Sequence, residues 1–371
     1  MSDPYDIPEP PLAPVHYTDK LEQPPEDEAE TIGKLVETMR GISETTFGHY
    51  GHAVRSVHAK ALGLVEGELT VEAGLPEVLA QGLFASPGTY PVAIRFSTSP
   101  GDLIDDSISS PRGMAIKVGN VAGERITGDG GGNTQDFVLI DSPSFIAATP
   151  KQFLGSLKLL AATTDRAEGA KKVLAGTLQG VEALLEAFGG GSATLKALGG
   201  HPITHPLGET FYSQTPFRYG KYIAKFAVAP VSSGLLELTN MHLNIVGDPD
   251  GLRGAVAHFF NNNSAAWELR VQLCTDLEEM PIEDASVEWD QEESPYVTVA
   301  RITVKPQAAW SIERENRIDD ELAFSPWHGL AAHRPLGGIN RARKGAYEMS
   351  AGFRSEHNGC PIHPHYTGSR T

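Results

Sequence analysis

Apolar and polar positions change their spacing several times along the chain, and each change marks an element. Residues 28–48 place Ile32, Leu35, Val36 and Met39 on one face of a 3.6-residue period, which predicts a helix. From about 52 to 142 the spacing shortens. GELTVEA, YPVAIRFST, MAIKVGNV and DFVLID alternate or are β-branched, with turn residues between them, and predict antiparallel strands. Residues 151–198 return to helical spacing in KQFLGSLKLLAA, AKKVLAGTLQGVEALLEAF and SATLKAL, interrupted by Gly189, Gly190 and Gly191. Strands resume over about 209–246 as TFYSQTPFRYG, YIAKFAVAP and LTNMHLNIV, and AAWELRVQLCT and YVTVARITV continue them. From about 313 the chain returns to loops, then to a helix near 338–354. No internal repeat interrupts this order.

Strands, a helical insertion, more strands and a late helix define an α+β protein. A long antiparallel sheet that avoids exposed edges often closes into a barrel, though pattern alone does not establish closure. Residues 1–27, rich in Pro, Asp and Glu, read as an extended N-terminal arm. Residues 28–371 then form one domain, with the helical insertion at about 151–198. An arm of this kind can wrap a neighbouring subunit, which leaves a homo-oligomer open.

Composition narrows the function. Hydrophobic residues make up 40% of the 371, enough for a sizeable core, while the formal net charge of −17 repels a phosphate backbone and argues against a nucleic-acid partner. A small-molecule partner fits better. Two cysteines, Cys274 and Cys360, with no CxxC argue against a disulfide framework. The Pro-rich start has no basic region followed by an apolar stretch, and no run of about 18 apolar residues could span a bilayer, so a cytoplasmic protein is expected.

Four constellations could carry chemistry. Arg55-Ser-Val-His58-Ala-Lys60 offers an imidazole for general acid/base work, because its pKa lies near neutral pH; a lone histidine is more often a surface or core residue. Arg95-Phe96-Ser97-Thr98 ends an apolar strand, with Pro111-Arg112-Gly113 downstream; its arginine is either a solvated rim residue or a grip on a carboxylate. The Gly128–Thr134 loop lacks the Gly-Lys-Ser/Thr ending of a phosphate loop, and its amide Asn133 could aim at a ligand. Finally, Arg343, Tyr347 and Arg354 share a face if their segment is helical, and a guanidinium beside a phenol favours phenolate, a hard anionic ligand suited to ferric iron.

Taken in order, RSVHAK (55–60), RFST (95–98), PRGMAIKV (111–118), NT (133–134), SFI (144–146), FSP (324–326) and RKGAY (343–347) resemble the haem catalases from about residue 50 to 354, and in particular a small catalase-related subgroup. The resemblance implies a catalase-like antiparallel barrel wrapped by helices, and haem b as cofactor. It implies His58 as distal acid/base, Asn133 as the amide that orients peroxide, and Ser97 as partner of the histidine. Val57 would narrow the pocket over the iron and Phe145 would pack on the porphyrin. Tyr347 would be the axial iron ligand, with Arg343 as its charge partner, and Arg55, Arg95 and Arg354 would hold the propionates.

The chain departs from that pattern in places. It ends 24 residues after Tyr347, so much of the C-terminal helical region of full-length catalases is expected to be missing. Gln135 and Asp136 stand where a proline and then apolar residues are usual, and Glu348 where proline is common. The function expected is a haem-dependent peroxidase or catalase acting on hydrogen peroxide or organic hydroperoxides. Its rivals are a lipid-hydroperoxide rearrangement on the same scaffold and a haem-binding stress protein with little turnover. His357, Cys360, His363 and His365 match no closed metal motif, and His201 and His205 read as loop residues.

Overall fold

A computed structural model describes residues 13–128, 132–164, 203–359, 362 and 366–368. Nine strands form one antiparallel sheet: β1 (Ala61–Val71), β2 (Thr89–Thr98), β3 (Arg112–Val118), β4 (Gln135–Ile140), β5 (Phe211–Tyr212), β6 (Phe217–Tyr219), β7 (Tyr222–Pro230), β8 (Ala265–Leu273) and β9 (Val297–Val304). Their order is β5-β4-β3-β2-β1-β9-β8-β7-β6, and an additional β5–β7 pairing closes eight of them into a barrel, with β6 a short hairpin arm on β7. Closure removes the unpaired edges that an open sheet would present. The expected barrel is therefore the one observed.

Side chains alternate across each strand, so one set fills the barrel and the other faces outward. Ile94 and Phe96 of β2, Ile116 and Val118 of β3 and Phe137 of β4 belong to the main core. Arg95 and Ser97 have the opposite parity and face outward. So do Gly113, Ala115 and Lys117 of β3, and Asp136 and Val138 of β4, which pair in register as Gly113↔Ile140, Ala115↔Val138 and Lys117↔Asp136. This outward patch of β2, β3 and β4 is one wall of the site.

Helices cover it. Helix α1 (Glu28–Tyr50) matches the predicted segment and ends where Gly51, at φ 66°, donates its N–H to the Phe47 carbonyl (2.8 Å). Helix α2 (Pro150–Thr164) opens the expected helical insertion; the rest of that stretch lies outside the described residues. Helix α4 (Gly338–Asn358) is the predicted late helix, and Leu35, Met39, Ile42, Leu154, Leu157, Ala342 and Ala346 knit α1, α2 and α4 into one apolar cluster.

Two expectations change. LTNMHLNIV forms no named strand; Asn240 sits at φ 57° in an exposed turn, and only His242 bridges, to Thr204. Helix α3 (Gly251–Asn262), with Leu252, Val256, Phe259 and Phe260 buried at helical spacing, stands where no element was expected. In the described part of the N-terminal arm, the N–H of Val15 bonds the carbonyl of Cys274 (2.8 Å) and that of Tyr17 the carbonyl of Lys221 (2.8 Å), so it lies on its own chain. No helix among the described residues is long and apolar enough to cross a membrane.

Candidate functional site

A cavity opens between the outer face of β2–β4 and helix α4, with about 640 Å³ that no protein atom fills, its mouth included. Arg55, Val57 and His58 reach it from the segment before β1, Arg95 and Ser97 from β2, and Tyr347 and Arg354 from α4. Seven of the ten residues singled out in the sequence thus line one cavity.

His58 is held in an unusual conformation. Its φ is 55°, in the left-handed region that non-glycine residues seldom occupy, and the segment is fixed by N–H bonds from His58 to Ser99 O and from Ala59 to Pro100 O (2.9 Å each). Such strain, about 1–3 kcal/mol, tends to collect at functional sites. The ring's Nδ1 lies 3.1 Å from Ser97 Oγ. Gly113 provides the space: a Cβ there would come within 2.7 Å of the imidazole. Burial, reinforced by the charges of Arg95, Arg343 and Arg55, pushes the His58 pKa down to about 3. The imidazole is therefore neutral at pH 7.

Tyr347 lies a little over one helical turn after Arg343. Burial raises the phenol pKa, and Arg343, Arg55 and Arg95 oppose that rise. Arg343 itself points off the cavity. Its Nη1 donates to Thr215 Oγ1 (3.1 Å) and Asn340 Oδ1 (3.3 Å), and its guanidinium lies 5.6 Å over the Phe145 ring, which meets Phe153 edge-on. Arg343 and Phe145 therefore support the site from behind rather than lining it.

The cationic rim is concentrated on one carboxylate. Arg55 Nη1 and Arg95 Nε (2.6 Å) both donate to Asp319 Oδ1. Arg354 Nη1 reaches only the carbonyls of Asp319 (3.0 Å) and Asp320 (3.1 Å), and its buried Nε has no hydrogen-bond partner among the described residues. Asp320 turns to the surface and faces His52 at 3.1 Å. Burial alone would raise the Asp319 pKa, yet Arg95 and Arg55 hold it down to about 2. Three guanidiniums thus face one buried carboxylate.

Asn133 is the exception. It is exposed, in the turn before β4, and does not line the cavity. The register explains why. The site lies toward the Gly113↔Ile140 and Ala115↔Val138 pairs, whereas Asn133 lies beyond Gln135↔Val118, at the far end of the hairpin. Five residues of strand span about 17 Å. The cavity wall from β3 and β4 is Gly113, Met114, Ala115, Val138 and Leu139, with Gly113 against the imidazole.

The residues that depart from the catalase pattern have structural work of their own. Lys117 Nζ donates to both oxygens of Asp136 (2.7 Å each), with both side chains fully buried. Asp136 Oδ2 also accepts the N–H of Ser325 (3.0 Å), and Gln135 Oε1 that of Leu330 (2.9 Å). The pair so ties the loop carrying Phe324, a cavity wall, to the barrel. Nothing in the local sequence signals this, because the partners lie 189 residues apart or more.

Elsewhere, His205 sits in a loop as expected, its Nδ1 accepting the N–H of Leu207 (3.2 Å); His201 lies outside the described residues. His357 stacks on Phe353 (3.9 Å), while Cys360, His363 and His365 are also outside them. Among the described residues no cluster of three or more His, Cys, Asp or Glu could hold a metal ion.

No protein-family model matches the chain, and no curated protein matches it. Solved structures do. A fungal catalase shares 18% identity and superposes with a TM-score of 0.60 over 89% of this chain. Catalase A from Saccharomyces cerevisiae (16% identity, TM-score 0.57) and a bacterial catalase (16%, 0.58) each match 96% of it. The chain has the catalase fold. It spans 65% of the length of the fungal catalase, 68% of the yeast one and 66% of the bacterial one.

Proposed function

We propose that this chain binds haem b in the cavity between α4 and the barrel and uses it to metabolise peroxides. One observation carries the reading: a neutral imidazole and a half-buried phenol line the same cavity, whose rim holds three guanidiniums around the Asp319 carboxylate. That donor set fits haem b. The phenol suits a ferric ion, and Arg55, Arg95 and Arg354 offer the cations that two propionates would need. The unpartnered Arg354 Nε is a donor still to be satisfied. Tyr347 would be the iron ligand, with Arg343, Arg55 and Arg95 favouring its ionised form.

Haem, when bound, supplies an iron that exchanges electrons with the peroxide. The chain's residues handle the protons. If Nδ1–H of His58 donates to Ser97 Oγ, Nε2 is left as the base; it takes a proton from the peroxide and returns it to the departing oxygen. Val57 narrows the approach. Asn133 has no part in this scheme, so His58 is the polar group that meets the peroxide, with Ser97 orienting its ring. The apolar wall of Ala115, Val138 and Leu139 favours an organic hydroperoxide alongside hydrogen peroxide, and keeps the hydroperoxide-rearranging reading as the alternative.

Protein reconstituted with haemin and its His58→Ala variant test this. The variant is expected to keep haem and lose about 10²–10⁴-fold in peroxide turnover. Equal turnover in the two removes His58 from the reaction.

A further inference from the structure

Among the described residues, Asp319 is the carboxylate that bonds directly to the cations lining the cavity, and no motif of the sequence pointed to it. It lies in a widened, π-helical turn, Glu315–Asp320, a geometry found often at functional sites. The turn is anchored on both sides. Ile318 is fully buried in the cluster of Leu64, Ala93, Leu322 and Phe324, and Arg317 Nη1 donates to Glu66 Oε1 (2.9 Å). These anchors aim Asp319 at the rim. There its Oδ1 accepts from both Arg55 and Arg95, the donors that a carboxylate of the cofactor would need.

Two consequences follow from Coulomb's law. Without a second anion, Asp319 relieves the repulsion between guanidiniums that burial would otherwise make costly. Toward an arriving dianion it is a like charge and a rival for the same N–H donors. Resting on the haem reading above, we propose that Asp319 is a resident counter-ion: it holds Arg55 and Arg95 in place in the haem-free chain and competes with a haem carboxylate for them. It stabilises the haem-free protein and weakens its grip on haem. A merely structural aspartate would move both quantities the same way on removal; this one moves them in opposite directions.

The test uses the full chain, its Asp319→Asn and Asp319→Glu variants, and two probes, haemin and haemin dimethyl ester, which lacks the carboxylate charges. Asp319→Asn is expected to lower the melting temperature of the haem-free protein while binding haemin about tenfold more tightly or better. The gain is expected to vanish with the diester, and Asp319→Glu to behave as the parent. Loss of both stability and haemin affinity in Asp319→Asn, or an equal gain for the two probes, overturns the proposal. Should Asp319→Asn not fold, hydrogen exchange on the parent decides. Backbone amides of Glu315–Asp320 exchange faster once haemin loosens the Asp319 contacts; unchanged or slower exchange overturns it. A parent that binds neither probe overturns the haem reading and this proposal with it.

Discussion

Gly113 and His58 are fitted to one another across β3: the imidazole occupies the space that any side chain at position 113 would take, with a Cβ falling 2.7 Å from its Cε1 and Nδ1. The same Cβ would stand 3.0 Å from Ser97 Oγ, so the histidine and its hydroxyl partner depend on one missing methyl group. Gly113→Ala is therefore expected to fold and bind haemin but to turn over peroxide at least tenfold more slowly, as the ring is displaced from Ser97. Parent-like kinetics in a haem-loaded Gly113→Ala would show that the ring position does not matter.

Acid should weaken the fold. Burial holds His58 and His333 down to a pKa of about 3 and His205 to about 4, against an ordinary value of 6.5. The unfolded chain then takes up protons below about pH 6.5 that the folded chain refuses, so stability is present above that value and falls as pH drops toward 4. Each histidine contributes up to about 1.4 kcal/mol per pH unit in that window. Asp319, held at about 2, adds to the loss only below about pH 4, where the unfolded carboxyl protonates first. Urea midpoints of the haem-free protein at pH 7 and pH 5 measure this; equal midpoints would contradict buried neutral imidazoles.

Arg95 should matter for retention more than chemistry. It is 2% exposed and bonds both Asp319 and the Ala59 carbonyl. Removing one partner of a buried charge pair costs about 3–5 kcal/mol. Haem transfer from Arg95→Ala to an excess of a haem-free acceptor protein is expected to run at least a hundredfold faster than from the parent. Equal transfer rates would take Arg95 out of the haem rim.

The substrate follows from the apolar part of the cavity wall. With Ala115 and Val138 on the cavity wall and Asn133 at the far end of its hairpin, small polar peroxides gain little orientation and apolar ones gain contact. We expect the ratio of hydrogen peroxide dismutation to organic-hydroperoxide consumption to be lower than for a typical catalase. Hydrogen peroxide, tert-butyl hydroperoxide and a fatty-acid hydroperoxide, each with one dye donor, measure it. Rapid oxygen release from hydrogen peroxide with neither organic substrate consumed returns the chain to plain catalase chemistry.

How far the sequence carried these conclusions depended on the range of the contacts. The ordered motifs brought Arg95, Ser97 and His58 to notice, and helical spacing set Tyr347 and Arg354 on one face of α4, so those were legible. Asn133 misled because its chain neighbourhood matched while the β3–β4 register, which no local pattern reveals, carried it away from the cavity. Asp319, and the Lys117–Asp136 pair that anchors the Phe324 loop, were missed for a related reason. Each acts through partners far along the chain: Asp319 meets Arg95 across 224 residues and Arg55 across 264, and Asp136 meets Ser325 across 189.

The most direct test of the account is a haemin titration of the purified chain and of Tyr347→Phe, followed by absorption. The parent is expected to saturate at one haemin per chain with a Soret band of high-spin ferric haem bound by tyrosinate, and Tyr347→Phe to take up less haem or to shift that band. A parent that takes up no haemin, or a Tyr347→Phe spectrum and occupancy identical to the parent's, would contradict it.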